Sequence, residues 1–343
     1  MNLERIIPYL LYKFKSDDEL VSSIEELSRK FTQEREKITD YLKDPRLVSA
    51  YAAFYFTTNT PKFAEILKWL PEEFLTAIKT SDLVDIGAGP GTFSVAFQEW
   101  SESLSGRIVQ IETSELMREQ AKVMWEGLYP SKTMVQSFGR NLRAENQLAL
   151  FGHSANEMGA EKALSYIEDI DPEHIIFIEP GTKSFFPEML KIRKALLTRG
   201  YHIIFPCPNS MECPMAASEK DWCHQFIYLK QSQDIERLSQ MAKKDRRLLP
   251  LIVHVYSKKS FGVNPSERVV RVLPETKFSY EWEVCHDNRL EHDQVMKRNL
   301  SKAEQSTLEG VLAGAAVETE TEKVLENSKR VKLIKINNQF FKP

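Results

Sequence analysis

The residues best placed to do chemistry begin at Leu83-Val84-Asp85-Ile86-Gly87-Ala88-Gly89-Pro90-Gly91-Thr92. An apolar strand pattern runs into a glycine-rich turn, and Phe93, Val95, Ala96 and Phe97 then open a helical pattern. Glycines at such a turn let the backbone approach a ligand with φ > 0, and the helix N-terminus offers free N–H groups. Asp85 stands two residues before the first glycine, and Gly87, Ala88, Gly89 and Gly91 form the turn. The spacing is G-x-G-x-G, not the G-x-G-x-x-G of dinucleotide enzymes. The next strand pattern, Arg107–Glu112, ends in an acid 21 residues after Gly91. An acid at that distance can accept hydrogen bonds from both hydroxyls of a ribose, although a solvated strand end is the plainer reading of Glu112 alone.

A second group is the four cysteines, spaced Cys207-x5-Cys213-x9-Cys223-x61-Cys285, with proline after the first two. Four thiolates satisfy either a tetrahedral zinc ion or an iron–sulfur cluster. The spacing is wider than the paired C-x2-C of zinc ribbons, and four unrelated buried thiols would also fit it. A disulfide framework is not expected in an intracellular chain of this size.

These groups need a scaffold. From about Asp82, strand and helix patterns alternate, which implies a parallel sheet. Strands are predicted at Leu83–Ile86, Arg107–Glu112, Thr133–Gln136, Leu148–Phe151, His174–Ile178, Tyr201–Phe205 and Leu251–Tyr256. Ser114 is a plausible cap for a helix reaching Leu128, and Gly200 closes a helix over about 185–198. In such a sheet ligands sit beyond the carboxyl ends of the strands. That places Ser154-Ala155-Asn156-Glu157, after the fourth strand, where a substrate would stand. Glu157 is a candidate base there, or equally a helix cap.

Residues 1–80 read as a helical N-terminal region, with Ile24, Leu27, Phe31 and Ile38 at helical spacing. Asp44-Pro45 marks a break, and a Leu47, Tyr51, Phe54, Tyr55 stripe ends at Thr60-Pro61. The core is expected over 81–257, with a cysteine-bearing insertion at 207–249, and a β-rich extension over 258–343. In that extension Arg268–Val272 and Phe278–Val284 could pair as a hairpin, and Val331–Ile336 is a further strand. No apolar run approaches the ~20 residues that span a bilayer. The N-terminus lacks a secretory layout, which points to a cytoplasmic, bacterial chain.

Net charge is −3, from 46 Lys+Arg against 49 Asp+Glu. From Phe226 onward the balance reverses, 21 basic against 16 acidic residues. Lys243, Lys244, Arg246 and Arg247 form the densest basic cluster and are candidate phosphate contacts.

The glycine turn resembles motif I of the class I S-adenosylmethionine (SAM) methyltransferases. That resemblance implies an α/β, Rossmann-like SAM-methyltransferase sheet and a SAM pocket built from Asp85, Gly87, Ala88, Gly89, Gly91 and Glu112, with Ser154 and Asn156 lining it. A longer run is more specific: Ile178-Glu179-Pro180-Gly181-Thr182, Arg193, Pro206-Cys207-Pro208, Cys213-Pro214 and Asp221-Trp222-Cys223-His224. It resembles the methyltransferase-like proteins that assist assembly of the mitochondrial small ribosomal subunit, and their bacterial relatives. The resemblance covers roughly residues 40–315. It implies a [4Fe–4S] cluster held by Cys207, Cys213, Cys223 and Cys285, with zinc as the alternative, and association with the small subunit and its ribosomal RNA. The sequence departs from the family at Asn209, where histidine is usual, and at Gln225, an insertion.

No catalytic residue is identified. Asn-Pro-Pro-Tyr, the amino-methylating motif, is absent after the fourth strand. Three functions stay open: a methyltransferase acting on small-subunit RNA, a non-catalytic assembly factor with a sensing or vestigial pocket, and a cytosine-5 RNA methyltransferase using Cys207 as nucleophile.

Overall fold

The computed structural model describes residues 1–33, 41–101, 106–137, 146–218, 221–262 and 267–336; Ile38 lies outside them. The N-terminal part is helical: α1 (Asp17–Thr32), α2 (Pro45–Ala50), a π-helical run Tyr51–Phe56, α3 (Thr57–Leu67) and α4 (Glu72–Lys79). Asp44 caps α2, its side chain accepting from Arg46 N, and Pro45 takes the first helical position, where a missing N–H costs nothing. Thr60-Pro61 does not end the stripe, because Pro61 sits inside α3. The backbone there is already widened by the π turns, and threonine hydroxyls take up freed carbonyls: Thr57 Oγ1 donates to Ala53 O and Thr60 Oγ1 to Phe56 O, both at 2.7 Å.

The central unit alternates as expected: β1 (Asp82–Ile86), α5 (Thr92–Ser101), β2 (Ile108–Ile111), α6 (Glu115–Leu128), β3 (Met134–Ser137), β4 (Gln147–Gly152), α7 (Ala155–Ile170), β5 (His174–Pro180), α8 (Phe186–Thr198) and β6 (His202–Phe205). Then come β7 (Gln225–Tyr228), α9 (Gln233–Met241) and β8 (Leu248–Ser257). The sheet order is β3-β2-β1-β4-β5-β8-β6, with β7 added on β8. Strands β1 to β5 are mutually parallel, and β8 runs antiparallel to β5, β6 and β7. This is the class I SAM-methyltransferase fold, with one short extra strand. Strands buried on both faces, such as β5 with Ile175, Ile176, Phe177 and Ile178 inaccessible, read as unbroken apolar runs.

The C-terminal part is a closed five-stranded barrel: β9 (Glu267–Val272), β10 (Ser279–His286), β11 (Arg289–Met296), α10 (Lys302–Glu309), β12 (Ala316–Val324) and β13 (Lys329–Ile336), closing in the order β10-β11-β13-β12-β9. β11 and β13 are parallel and α10 lies between β11 and β12, the arrangement of an OB-fold. Arg268–Val272 and Phe278–Val284 do pair, with Trp282 opposite Val272. The barrel is filled by Tyr280, Trp282, Val284, Val295, Val317 and Val331.

An ionic knot also lies in the barrel. Lys329 Nζ sits 3.1 Å from Glu267, 2.7 Å from Glu291 and 3.5 Å from the fully buried Asp293. Burial, more than any other influence, pushes the Asp293 carboxyl up to about 7. Removing one partner of a buried ion pair strands the others at a cost of roughly 3–5 kcal/mol. Lys329→Met is therefore expected to lower stability by about 3 kcal/mol. The stranded carboxyls would bind protons more tightly folded than unfolded, so the deficit should shrink as pH falls from 7 toward 5. Denaturant unfolding at both pH values checks this.

Candidate cofactor cradle and substrate pocket

The glycine turn stands where β1 meets α5, with Gly87, Gly89 and Gly91 at φ of 70°, 55° and 83°. At Gly87 a Cβ would lie 2.5 Å from Ser154 Cβ, so β4's end is packed directly on the turn. At Gly89 a Cβ would meet nothing within 4 Å, which leaves that face of the turn open. Glu112, just past β2, closes one side: one carboxylate oxygen accepts from Gly89 N at 2.9 Å and the other from Ser114 N at 2.8 Å. Both oxygens keep lone pairs for further donors. Asp85 lies below the turn instead. It is buried and accepts from Ser94 N at 3.0 Å and Ser94 Oγ at 2.7 Å, which ties β1 to the first turn of α5. Burial raises its carboxyl to about 7 against the pull of those bonds.

The other wall is the β4–α7 junction. Ser154 Oγ donates to Ile86 O at 2.5 Å, joining the junction to β1. Glu179, at the end of β5 and fully buried, holds it from behind. Its carboxylate accepts from Ser154 N at 3.2 Å, Ala155 N at 2.9 Å, Asn156 N at 3.2 Å and Asn156 Nδ2 at 3.0 Å. Glu179 thus caps α7 from a neighbouring strand. Burial raises its pKa to about 8, although each of those hydrogen bonds favours the charged form. The sequence marked Glu179 by its motif without showing this task. Glu157 is exposed in the first turn of α7.

Beyond the strand ends, under the N-terminal helices, lies a cavity of about 420 Å³. Phe31, Tyr51 and Tyr55 supply aromatic walls, His153 and Lys62 the floor, and Arg246 one side. Lys62 is 1% exposed, and its Nζ lies 2.9 Å from His153 Nε2. Burial and the nearby Arg246 hold the Lys62 amine well below its ordinary range; burial and both cations do the same to His153. His153 takes a left-handed φ of 60°, and Phe93 of α5 stacks on it at 6.2 Å. Sequence reasoning missed Lys62, because the Pro61 beside it read as a helix end.

Of the four basic residues predicted to meet phosphate, Lys243 is exposed and Lys244 half-buried. Arg246 turns inward, its Nη2 donating to Asn59 at 3.0 Å and its guanidinium lying 5.6 Å from the Tyr55 ring centre. Arg247 pairs with Asp245 at 2.8 Å.

The cysteines are all half-buried free thiols. Cys207 follows β6, Cys213 opens a 3-10 turn, Cys223 precedes β7, and Cys285 lies on β10 of the barrel. All four pack on one apolar cluster beneath the sheet. Burial raises the Cys223 thiol well above its ordinary range, and negative charge on Cys207, Cys213 or Cys285 raises it further. Burial, then Cys207 and Cys213, pushes Cys285 up to about 12. No three of the sulfurs lie within 4.8 Å of one another; among the described residues Glu267, His286 and Glu291 form the one metal-ligating trio that close, and the Lys329 ammonium already reaches both of its carboxylates. A zinc tetrahedron with ~2.3 Å bonds needs sulfurs about 3.8 Å apart, so the four thiols as they stand are not gathered at ligand spacing. Arg193 anchors the loop, its Nη2 donating to Met211 O at 2.7 Å, and Arg268 Nε donates to Pro206 O at 3.0 Å.

Residues 46–307 match the family described as mitochondrial small ribosomal subunit Rsm22. The chain belongs to this family. No curated protein matches it. Among solved structures it is similar to magnesium protoporphyrin IX methyltransferase from Synechocystis PCC 6803 with bound SAM (12% identity, 72% of this chain and 100% of that one, TM-score 0.39). It is also similar to precorrin-6y C5,15-methyltransferase from Geobacter metallireducens GS-15 (15%, 54% and 84%, 0.35). A third is the ribosomal protein L11 methylase of Lactobacillus delbrueckii subsp. bulgaricus (11%, 54% and 76%, 0.32). Likeness this distant assigns no substrate to an Rsm22-family chain. No helix among the described residues is long and apolar enough to cross a membrane.

Two stability tests follow from the geometry. Gly89→Ala should cost about the 1–2 kcal/mol of left-handed backbone alone, and Gly87→Ala more, because its Cβ meets Ser154. Glu179→Ala, which orphans two buried backbone N–H groups and a third that is part-buried, should cost about 3 kcal/mol. Thermal unfolding of the three variants ranks them.

Proposed function

We propose that this Rsm22-family chain binds SAM in the glycine cradle and acts on, or beside, small-subunit ribosomal RNA during ribosome assembly. The observation that carries the reading is the open Gly89 face, flanked by the Glu112 carboxylate and the Ser154–Asn156 junction. Bound there, SAM supplies a methyl group on a positively charged sulfur. Glu112 is placed to accept from ribose hydroxyls while Gly89 N and Ser114 N hold it in orientation. Gly87, Ala88, Gly89 and Gly91 give the backbone approach, and Asp85 keeps the turn fixed on α5. The RNA part rests on the family's printed description. The compartment follows the ribosome served: the bacterial cytoplasm in the sequence reading, the mitochondrion in the family's name.

The same proposal gives Cys207, Cys213, Cys223 and Cys285 a [4Fe–4S] cluster. What supports a cluster is the ligand set that the resemblance implies and the packing of all four thiols on one apolar cluster, although as they stand the sulfurs are not gathered. Arg193 and Arg268 offset thiolate charge beside them. The cluster's task would be structural, fastening the 207–249 insertion to the barrel. The cytosine-5 alternative is disfavoured by position: Cys207 follows β6, three strands from β4, or roughly 14 Å at ordinary strand spacing.

Mass analysis of small-subunit RNA from a deletion strain tests the enzyme reading. One missing methyl group supports it; immature particles with an unchanged methyl pattern support the non-catalytic assembly factor. Cys285→Ser should lose iron and acid-labile sulfide and melt lower. Full iron content with unchanged melting contradicts the cluster.

A further inference from the structure

We propose that the cavity over β4 and β5 takes one unstacked uracil or guanine nucleotide of an RNA strand, and that the Lys62–His153 pair removes the ring N–H proton as that nitrogen is methylated. The inference rests on the methyl-transfer reading above and adds the substrate class and the proton acceptor. Three features of the cavity carry it. Its size, about 420 Å³, suits a single nucleoside. Phe31, Tyr51 and Tyr55 give ring faces on which an extruded base can stack. Arg246 Nε is buried in the wall with no hydrogen-bond partner, an open donor for a base carbonyl or phosphate.

The fourth feature is the pair itself. Lys62 is 1% exposed, and among the described residues it hydrogen-bonds a histidine and is held in no ion pair; the pull of Glu179 toward the charged form is outweighed by burial and Arg246. An uncharged Lys62 can donate one N–H to His153 Nε2 and keep its lone pair. His153 sits at the end of β4, next to the Ser154 that packs on the glycine turn, so the pair lies between cradle and cavity. Its left-handed backbone is the sort of local strain that persists where geometry serves a site.

The chemistry balances with SAM as the one co-reactant. The ring nitrogen's electron pair forms the bond to the methyl carbon. The carbon–sulfur bond breaks, its electrons staying on sulfur, and the N–H proton passes to the Lys62 amine. Glu179 favours the new ammonium and Arg246 opposes it; Glu157 and Lys244 line the same cavity with opposite charges. A ring N–H needs a base to become nucleophilic, whereas the exocyclic amino group served by Asn-Pro-Pro-Tyr needs a carbonyl acceptor. The loop here has the base and lacks that motif.

Two measurements on the full chain test this. The first is photo-crosslinking to short single-stranded RNA carrying 4-thiouridine, mapped by mass spectrometry. Crosslinks on Phe31, Tyr51 or Tyr55 that are lost in Tyr55→Ala are expected; crosslinks confined to Lys243 and the outer surface overturn the cavity assignment. The second is single-turnover transfer from methyl-labelled SAM to small-subunit particles from a deletion strain. Lys62→Ala should slow transfer by about 100-fold, within the range for a lost general base, with SAM affinity kept within about threefold. Added methylamine should restore part of the rate, which a purely structural lysine would not allow. Lys62→Ala transferring at the wild-type rate overturns the proton role. Label transfer with crosslinks elsewhere sinks this inference alone. Crosslinking in the cavity without transfer by the wild-type chain sinks the methyl-transfer reading and the proton role, and leaves the nucleotide pocket standing.

Discussion

Taking the Glu179 carboxylate out of water would be costly if it found no donors, and it finds four, all on the β4–α7 junction. The geometry of the site follows from that placement. Ser154 is held against β1, so its Cβ fills the space a side chain at Gly87 would need. His153 is thrown into a left-handed conformation and points at Lys62. Asn156 is turned back onto Glu179. One buried acid on β5 thus sets the wall that separates the glycine cradle from the aromatic cavity.

Charge elsewhere in the chain is handled by the same rule. Lys329 lies among three carboxylates in the barrel, and Arg246 and Arg268 each trade hydration for an aromatic face and a hydrogen bond. Lys329 and Arg268 are not free to meet phosphate, and Arg246 keeps only its Nε, inside the cavity, for a ligand. The surplus of basic residues toward the C-terminus is therefore partly internal wiring, and a count of lysines and arginines overstates the surface available to RNA.

The core sheet was legible in the sequence because its strands are buried on both faces and read as apolar runs ending in glycine or acid. Motif spacing located Gly87, Gly89, Gly91, Glu112 and Ser154 in one place. Where reading failed, burial and pattern were at odds. β11 carries Glu291 and Asp293 at positions facing the barrel, and β12 alternates threonine with glutamate, so neither shows the apolar alternation of a strand. Lys62 was hidden because a lysine beside proline reads as a solvated helix end. Its burial depends on His153, 91 residues away, and no local window holds that information. Ring closure of the barrel was likewise invisible, since the pairing of β9 with β12 spans about fifty residues of unrelated pattern.

Cys285 sits on the second barrel strand, 62 positions after Cys223. A ribosome adding about 5–20 residues per second would expose three thiols for roughly 3–12 s before the fourth is made. A chain cut short in that interval carries an incomplete sulfur set and no barrel to cover it. Until synthesis has passed residue 285, the three upstream thiols stand without the fourth.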